Sequence, residues 1–254
     1  VCDSLREVFA TALATYEFMA GESALLARLR SRRGAGRWHE IDFTGDPVMV
    51  SFESMMPLGN RAEDFGVSLR ALDSFLELTD QPAYDTFYGT IDPEWLKTFH
   101  REFYEQRDTA RAFDTHGWLE LHAPYPALLE LLRRRSSDAE IALATAKDRR
   151  SAELLLAHLG VGGLFAPELV LDKETGVSKT AHLTALHDRL DIPFKEITFV
   201  DDKVNHLETV APLGVRPVLA GWGFNTPREH DLARQCGFEV ANIADVERVL
   251  YGGG

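Results

Sequence analysis

Two adjacent acids, Asp201 and Asp202, directly follow the apolar run Ile197-Thr-Phe-Val200. Neighbouring carboxylates repel, so a fold that packs them together usually supplies a cation, and magnesium is the natural partner because it takes oxygen ligands and shares them with phosphate. His206 lies just beyond, as a hydrogen-bonding residue or a ligand type. Upstream, Ile141-Ala-Leu-Ala-Thr145 ends an apolar run on a hydroxyl, a neutral donor suited to a phosphoryl oxygen. Between the two, Ser178-Lys179-Thr180 puts a lysine in the first turn of an expected helix, where the backbone already carries partial positive charge. Each feature alone has a plainer explanation: a helix-start threonine, a lysine reaching into water, a solvated acidic turn. Their order, hydroxyl then lysine then double acid, is more specific than any part.

The surrounding pattern says which elements must hold them. After Pro124-Tyr-Pro126, short apolar runs alternate with amphipathic stretches, which predicts parallel strands joined by crossover helices. The expected strands are Ile141–Thr145, Leu169–Leu171, Ile197–Val200, Pro217–Ala220 and a weaker one near Phe238–Ala241. Leu154, Leu155 and Leu159 precede Gly160 as a helix end, and Thr226-Pro-Arg-Glu229 reads as a capping box with proline at the first helical position. In open parallel sheets, ligands bind beyond the carboxyl ends of strands, which is where Thr145 and Asp201-Asp202 fall. Trp222-Gly-Phe-Asn225 follows the fourth strand and is a candidate border of the same region.

The first half is helical in character. Apolar residues at helical spacing predict two helices over residues 4 to 31, a loop from Ser31 to Pro47, and a helical region from 61 to 112 broken near Asp80 and Asp92. Arg28, Arg30, Arg32, Arg33 and Arg37 form a local basic run, read as a solvated helix end with a substrate-anion contact as the other reading. Arg61, Glu63 and Asp64 form a polar cluster read as a helix start, or as substrate contacts.

Composition bounds the function. A chain of 254 residues, 45% hydrophobic, can bury a sizeable core. A formal charge of −13 argues against nucleic acid as a partner. No stretch is apolar enough for a membrane span and the start lacks the order of a signal peptide, so a cytoplasmic protein without a membrane partner is expected. Two cysteines, Cys2 and Cys236, make neither a disulfide framework nor a cysteine zinc site.

The combination Thr145, Lys179, Asp201-Asp202 resembles the later three motifs of the haloacid dehalogenase superfamily. That resemblance implies an α/β fold, with a Rossmann-like parallel sheet core, crossover helices and an inserted α-helical cap. It divides the chain into a core of residues 1–14 and 121–254 and a cap of residues 15–120. It implies that Thr145 binds the transferred phosphoryl group, that Lys179 neutralises nucleophile and phosphate, and that Asp202, assisted by Asp201, binds Mg2+. Lys173 competes for the lysine role, and Lys179 is preferred because it sits at a helix start. His206 falls where the superfamily often has another acid or Asn. The implied activity is magnesium-dependent phosphoryl hydrolysis, through an aspartyl-phosphate, of a small phosphorylated metabolite. Alternatives are a phosphomutase, a phosphonate hydrolase or a noncatalytic binding protein.

The superfamily's first motif, Asp-x-Asp at the end of a strand, has no convincing copy in the sequence. Val48-Met-Val-Ser51-Phe-Glu53 is a degenerate candidate, more simply explained as a segment of the cap. Val1-Cys-Asp3-Ser4-Leu5 instead resembles the stretch that follows that motif, so the sequence as it stands would begin after the nucleophile and lack activity. A core without that strand would also leave two strand edges unpaired.

Overall fold

The computed structural model describes residues 1–59, 61–176 and 178–252. The chain forms two compact units: Cys2–Ala123, and Val1 together with Pro124–Gly254. Together they give an α/β architecture, one unit helical and the other built from parallel strands and helices.

The helical unit begins with a two-residue strand, β1 (Cys2–Asp3), and continues through α1 (Leu5–Ala20), α2 (Ala24–Arg33), α3 (Pro47–Met55), α4 (Ala62–Asp73), α5 (Gln81–Tyr88), α6 (Pro93–Phe113) and α7 (Thr115–Glu120). Prolines at the start of α3, α5 and α6 follow Asp46, Asp80 and Asp92, whose side chains accept backbone N–H groups of the first turn. The aspartates satisfy otherwise orphaned donors and the prolines cost nothing where no N–H partner exists. The core is aromatic: Phe9 meets Phe43 and Phe52 with ring centroids 5.0 Å apart, and Phe99 and Phe103 are fully buried on α6. A Cβ on Gly66 would stand 2.8 Å from the Phe99 ring, so glycine is what lets α4 approach α6.

The expected division gave residues 1–14 to the other unit. Instead α1 packs along its length on α4 and α6, and an internal ion pair holds it there. Glu7, with no exposed surface, accepts Arg107 Nε at 2.7 Å and Arg107 Nη2 at 2.8 Å, with Thr11 Oγ1 and Trp118 Nε1 also donating. Val48–Met56 lies mainly in α3, with Val48, Met49, Phe52 and Met55 buried at helical spacing. Ser51 and Glu53 therefore do not end a strand, and the degenerate nucleophile reading is set aside. In the basic run, Arg30 pairs with Glu17, Arg33 with Asp46, and Arg37 lies over the Phe113 ring.

The chain passes through β2 (Ala123–Pro124) into the second unit: α8 (Pro126–Arg134), β3 (Leu143–Ala144), α9 (Arg149–His158), β4 (Val170–Leu171), α10 (Lys179–Leu190), β5 (Thr198–Asp201), α11 (Val204–Val210), β6 (Arg216–Ala220), α12 (Pro227–Gln235), β7 (Glu239–Ala241) and α13 (Val246–Tyr251). All pairings among β3 to β7 are parallel, and the five strands fall where the apolar runs predict them. They form two pieces. In one, β3 pairs with β4, Leu143 opposite Val170; in the other the order is β5-β6-β7, with Asp201 opposite Leu219. Among the described residues no strand links β3 to β5.

A core around Leu171, Leu183, Leu186, Phe199, Leu207 and Leu219 ties α10 and α11 to the strands. A second cluster, around Leu128, Leu131, Leu132 and Val246, takes in Val1, Ile141 and Trp222. Glu229 accepts the Thr226 N–H as the capping box requires, and Gly160, with φ of +65°, follows α9 in the conformation that favours glycine. Among the described residues no helix is long and apolar enough to cross a membrane.

Candidate active site

Thr145 immediately follows β3. Its N–H donates to Leu171 O at 2.8 Å, extending the β3–β4 ladder by one residue, and its Oγ1 accepts the Lys147 N–H at 3.1 Å. The chain then turns into α9, where Asp148 Oδ1 accepts the Ser151 N–H at 2.9 Å. Because the Thr145 oxygen is used as an acceptor, its own proton is left to donate.

Lys179 opens α10, behind the Ser178 hydroxyl that accepts Ala181 N–H at 3.1 Å. The ammonium does not point into water. Its Nζ donates to Ala144 O at 2.8 Å and lies 3.6 Å from Asp201 Oδ2, with the Phe199 ring centroid 6.0 Å away. The lysine that looked misplaced against its helix is thus held by a strand carbonyl on one side and a carboxylate on the other. It connects the end of β3 to the end of β5, which share no backbone pairing.

The two acids face different partners. Asp201 Oδ1 accepts the Lys203 N–H at 3.0 Å and lies 3.0 Å from His206 Nδ1, while Oδ2 faces Lys179. Burial pushes the Asp201 carboxyl up, but the hydrogen bond from His206 and the nearby Lys179 charge more than offset it and leave it below its ordinary range. Asp202 Oδ2 accepts the Phe224 N–H at 2.8 Å, and Asn225 Nδ2 donates to the Asp202 carbonyl at 3.2 Å and to Ala220 O at 2.9 Å. His230 Nε2 holds Asn225 Oδ1 at 2.6 Å. Burial and then the charge of Asp201 push the Asp202 carboxyl above its ordinary range, against the pull of the buried Lys203.

The loop after β6 reaches this close only because residue 223 is glycine. A Cβ there would lie 2.3 Å from the Asp202 Cβ, inside any real contact distance. Trp222-Gly-Phe-Asn225, expected to border the region, is bonded to it through Asp202.

The four expected residues therefore come together in part. Lys179 and Asp201 meet directly, Thr145 follows the residue whose carbonyl Lys179 holds, and Asp202 engages the next loop. Lys173 donates its N–H to Lys147 O and its Nζ lies 3.8 Å from Glu174, a different arrangement from that of Lys179. Two partners were missed in the sequence: buried Lys203 and the Phe224 N–H. His206, read there as a hydrogen-bonding residue or a ligand type, makes its bond to Asp201.

Among the described residues no three His, Cys, Asp or Glu side chains converge as a complete donor set. Two carboxylates suffice for magnesium, which commonly takes one or two from the protein and completes its shell with substrate oxygens and water. In the helical unit, Arg61, Glu63 and Asp64 line a cavity of about 240 Å3 with Tyr84 and Tyr88, and Glu63 also borders one of about 570 Å3 with His100. Glu63 Oε2 lies 2.6 Å from His100 Nδ1, and Asp64 accepts the Arg61 N–H and the Tyr84 hydroxyl, so both acids already have partners.

A model of the haloacid dehalogenase-like hydrolase family matches residues 47–214. The fold is similar to that of a phosphoglycolate phosphatase candidate from Lactobacillus delbrueckii subsp. bulgaricus, at 11% identity and a TM-score of 0.67, covering 100% of this chain and 95% of that one. It is also similar to a predicted phosphoglycolate phosphatase from Haemophilus somnus, at 15% identity and a TM-score of 0.59, covering 98% and 92%. A predicted phosphatase from Clostridium acetobutylicum aligns at 12% identity and a TM-score of 0.53, covering 80% and 92%. No curated protein matches the sequence significantly.

Proposed function

Because this chain belongs to the haloacid dehalogenase-like hydrolases, we propose that its strand-containing unit is the phosphate-binding part of a magnesium-dependent phosphatase for a small phosphorylated metabolite. The observation that supports this best is the Lys179 ammonium, fixed between the Ala144 carbonyl and Asp201 at the carboxyl ends of β3 and β5. Of its three N–H groups, one is taken by Ala144 and one faces Asp201, which leaves one for a phosphoryl oxygen. Thr145 donates its hydroxyl proton to a second. Asp202, with Asp201 beside it, would hold magnesium, and the ion supplies positive charge against the phosphoryl oxygens when bound.

An attacking carboxylate is also needed, and a strand between β3 and β5 is the place for it in this reading. Each of those strands pairs on one side only among the described residues. The carboxylate oxygen forms a bond to phosphorus, the ester oxygen leaves and takes a proton from a second acid, and water then cleaves the aspartyl-phosphate. Positioning and charge neutralisation supply most of the rate. The helical unit is the inserted cap in this proposal and selects the substrate.

The test is to express the complete coding region of the gene and assay hydrolysis of p-nitrophenyl phosphate with and without magnesium. An Asp-x-Asp after an apolar stretch, with turnover only when magnesium is present, is the expected result. A complete coding region without such a motif and without turnover overturns the proposal. Phosphoglycolate belongs in the first substrate panel, since two of the similar structures carry that name. A second reading, a phosphate-binding protein without turnover, is favoured by the lack of any Asp-x-Asp in the 254 residues. It predicts that orthophosphate binds to a complete protein that never hydrolyses an ester.

A further inference from the structure

The two acids differ in what surrounds them, and the difference reaches back to Lys179. Asp201 spends one oxygen on His206 Nδ1 and the Lys203 N–H, and turns the other to the Lys179 ammonium. The Lys179 and Asp201 side chains keep only 15% and 10% of their surface exposed, so the contact is shielded from water and its geometry matters more than in a surface pair. His206 stands on α11, a different element from the strand carrying Asp201 and the helix carrying Lys179. Its contact with Oδ1, beside that of the Lys203 N–H, restrains the rotation of the Asp201 carboxylate.

We propose that His206 is a positioning residue which, through Asp201, aims the Lys179 ammonium at the phosphate site, leaving Asp202 as the acid that faces the cation. The proposal rests on the phosphatase reading for what the ammonium is aimed at, and on the hydrogen bonds alone for how it is aimed. An ionised carboxylate can only accept, so the proton of the 3.0 Å contact sits on His206 Nδ1. A side-chain amide at residue 206 can donate to the same oxygen, whereas an aliphatic residue of similar size cannot.

The experiment uses the chain as it stands, labelled with 13C-lysine, with His206→Leu and His206→Asn compared. The Cε resonance of Lys179 is assigned by its loss in Lys179→Met. In His206→Leu it should move toward the exposed lysines, and in His206→Asn it should return. Inorganic phosphate should bind roughly tenfold more weakly to His206→Leu and within about twofold of the unaltered chain to His206→Asn, as expected for losing and restoring one charge-assisted bond. A Lys179 resonance unmoved in His206→Leu overturns the proposal.

If phosphate fails to bind the unaltered chain, the phosphatase reading fails, while the Lys179 resonance still decides the positioning role. If His206→Leu does not fold, the long-range 1H–15N spectrum of the unaltered chain decides: a proton on Nδ1 supports the bond to Asp201, and a ring protonated on Nε2 alone overturns it.

Discussion

A lysine at the amino end of a helix works against the partial charge of the backbone, and Lys179 tolerates this because its ammonium leaves the helix for the Ala144 carbonyl and Asp201. Glycine at residue 223 is under a comparable constraint from the other acid. Gly223→Ala would place a methyl 2.3 Å from the Asp202 Cβ, and two backbone segments would have to separate to admit it. A loss of about 1 to 3 kcal/mol is expected, the usual range for overpacking, read as a lowered urea midpoint; an unchanged midpoint contradicts the close approach. Thr145, Lys179 and the acids were legible in the sequence by their order, hydroxyl then lysine then double acid, each at the end of an expected strand or the start of an expected helix. The partners of Asp202 were not, since a backbone N–H has no residue type. Phe224 donates to Asp202 through a group that every residue but proline carries.

Elements were legible where periodicity and caps agree. The apolar runs mark β3 to β7, and the breaks near Asp80 and Asp92 are the starts of α5 and α6, while α3 behind Asp46-Pro47 reads from the sequence only as a segment of the cap. The grouping of residues 1–14 departs from the observed unit, Cys2–Ala123, for another reason. The partner of α1, Arg107, is 100 residues away, and nothing in the local sequence announces that Glu7 is the buried end of an ion pair. The pair makes a prediction for α1 and α6. Glu7→Ala removes the carboxylate that Arg107, whose surface is 6% exposed, holds through Nε and Nη2, and breaking a buried ion pair from one side costs about 3 to 5 kcal/mol. Circular dichroism during urea unfolding should show the helical signal lost at lower denaturant. A change below about 1 kcal/mol would mean that aromatic packing alone holds the two helices.

For the molecule as a whole, net charge and a buried histidine each carry a consequence. The charge of −13 at pH 7 sets a strong net repulsion that salt should soften. His39, whose Nε2 lies 3.0 Å from Thr11 Oγ1, has its pKa pushed below 6.5 mainly by burial, against the opposing charge of Glu7. The folded chain therefore binds this proton less readily than the unfolded chain. Its effect on stability is flat above pH 6.5 and turns unfavourable as pH falls through that value toward the folded pKa. Thermal melting should drop between pH 7.5 and 5.5, and His39→Gln should flatten part of that slope; an unchanged slope assigns the drop to other groups.

The crowding of Gly223 against Asp202 also says something about ancestry. Two positions in different loops cannot drift independently: any larger residue at the first requires the second to have shrunk or the loops to have parted beforehand. In a lineage that keeps the acid, the glycine is inherited with it as one character. A relative carrying a side chain at the first position is expected either to have lost the Cβ of the second, and the carboxylate with it, or to have moved the two loops apart.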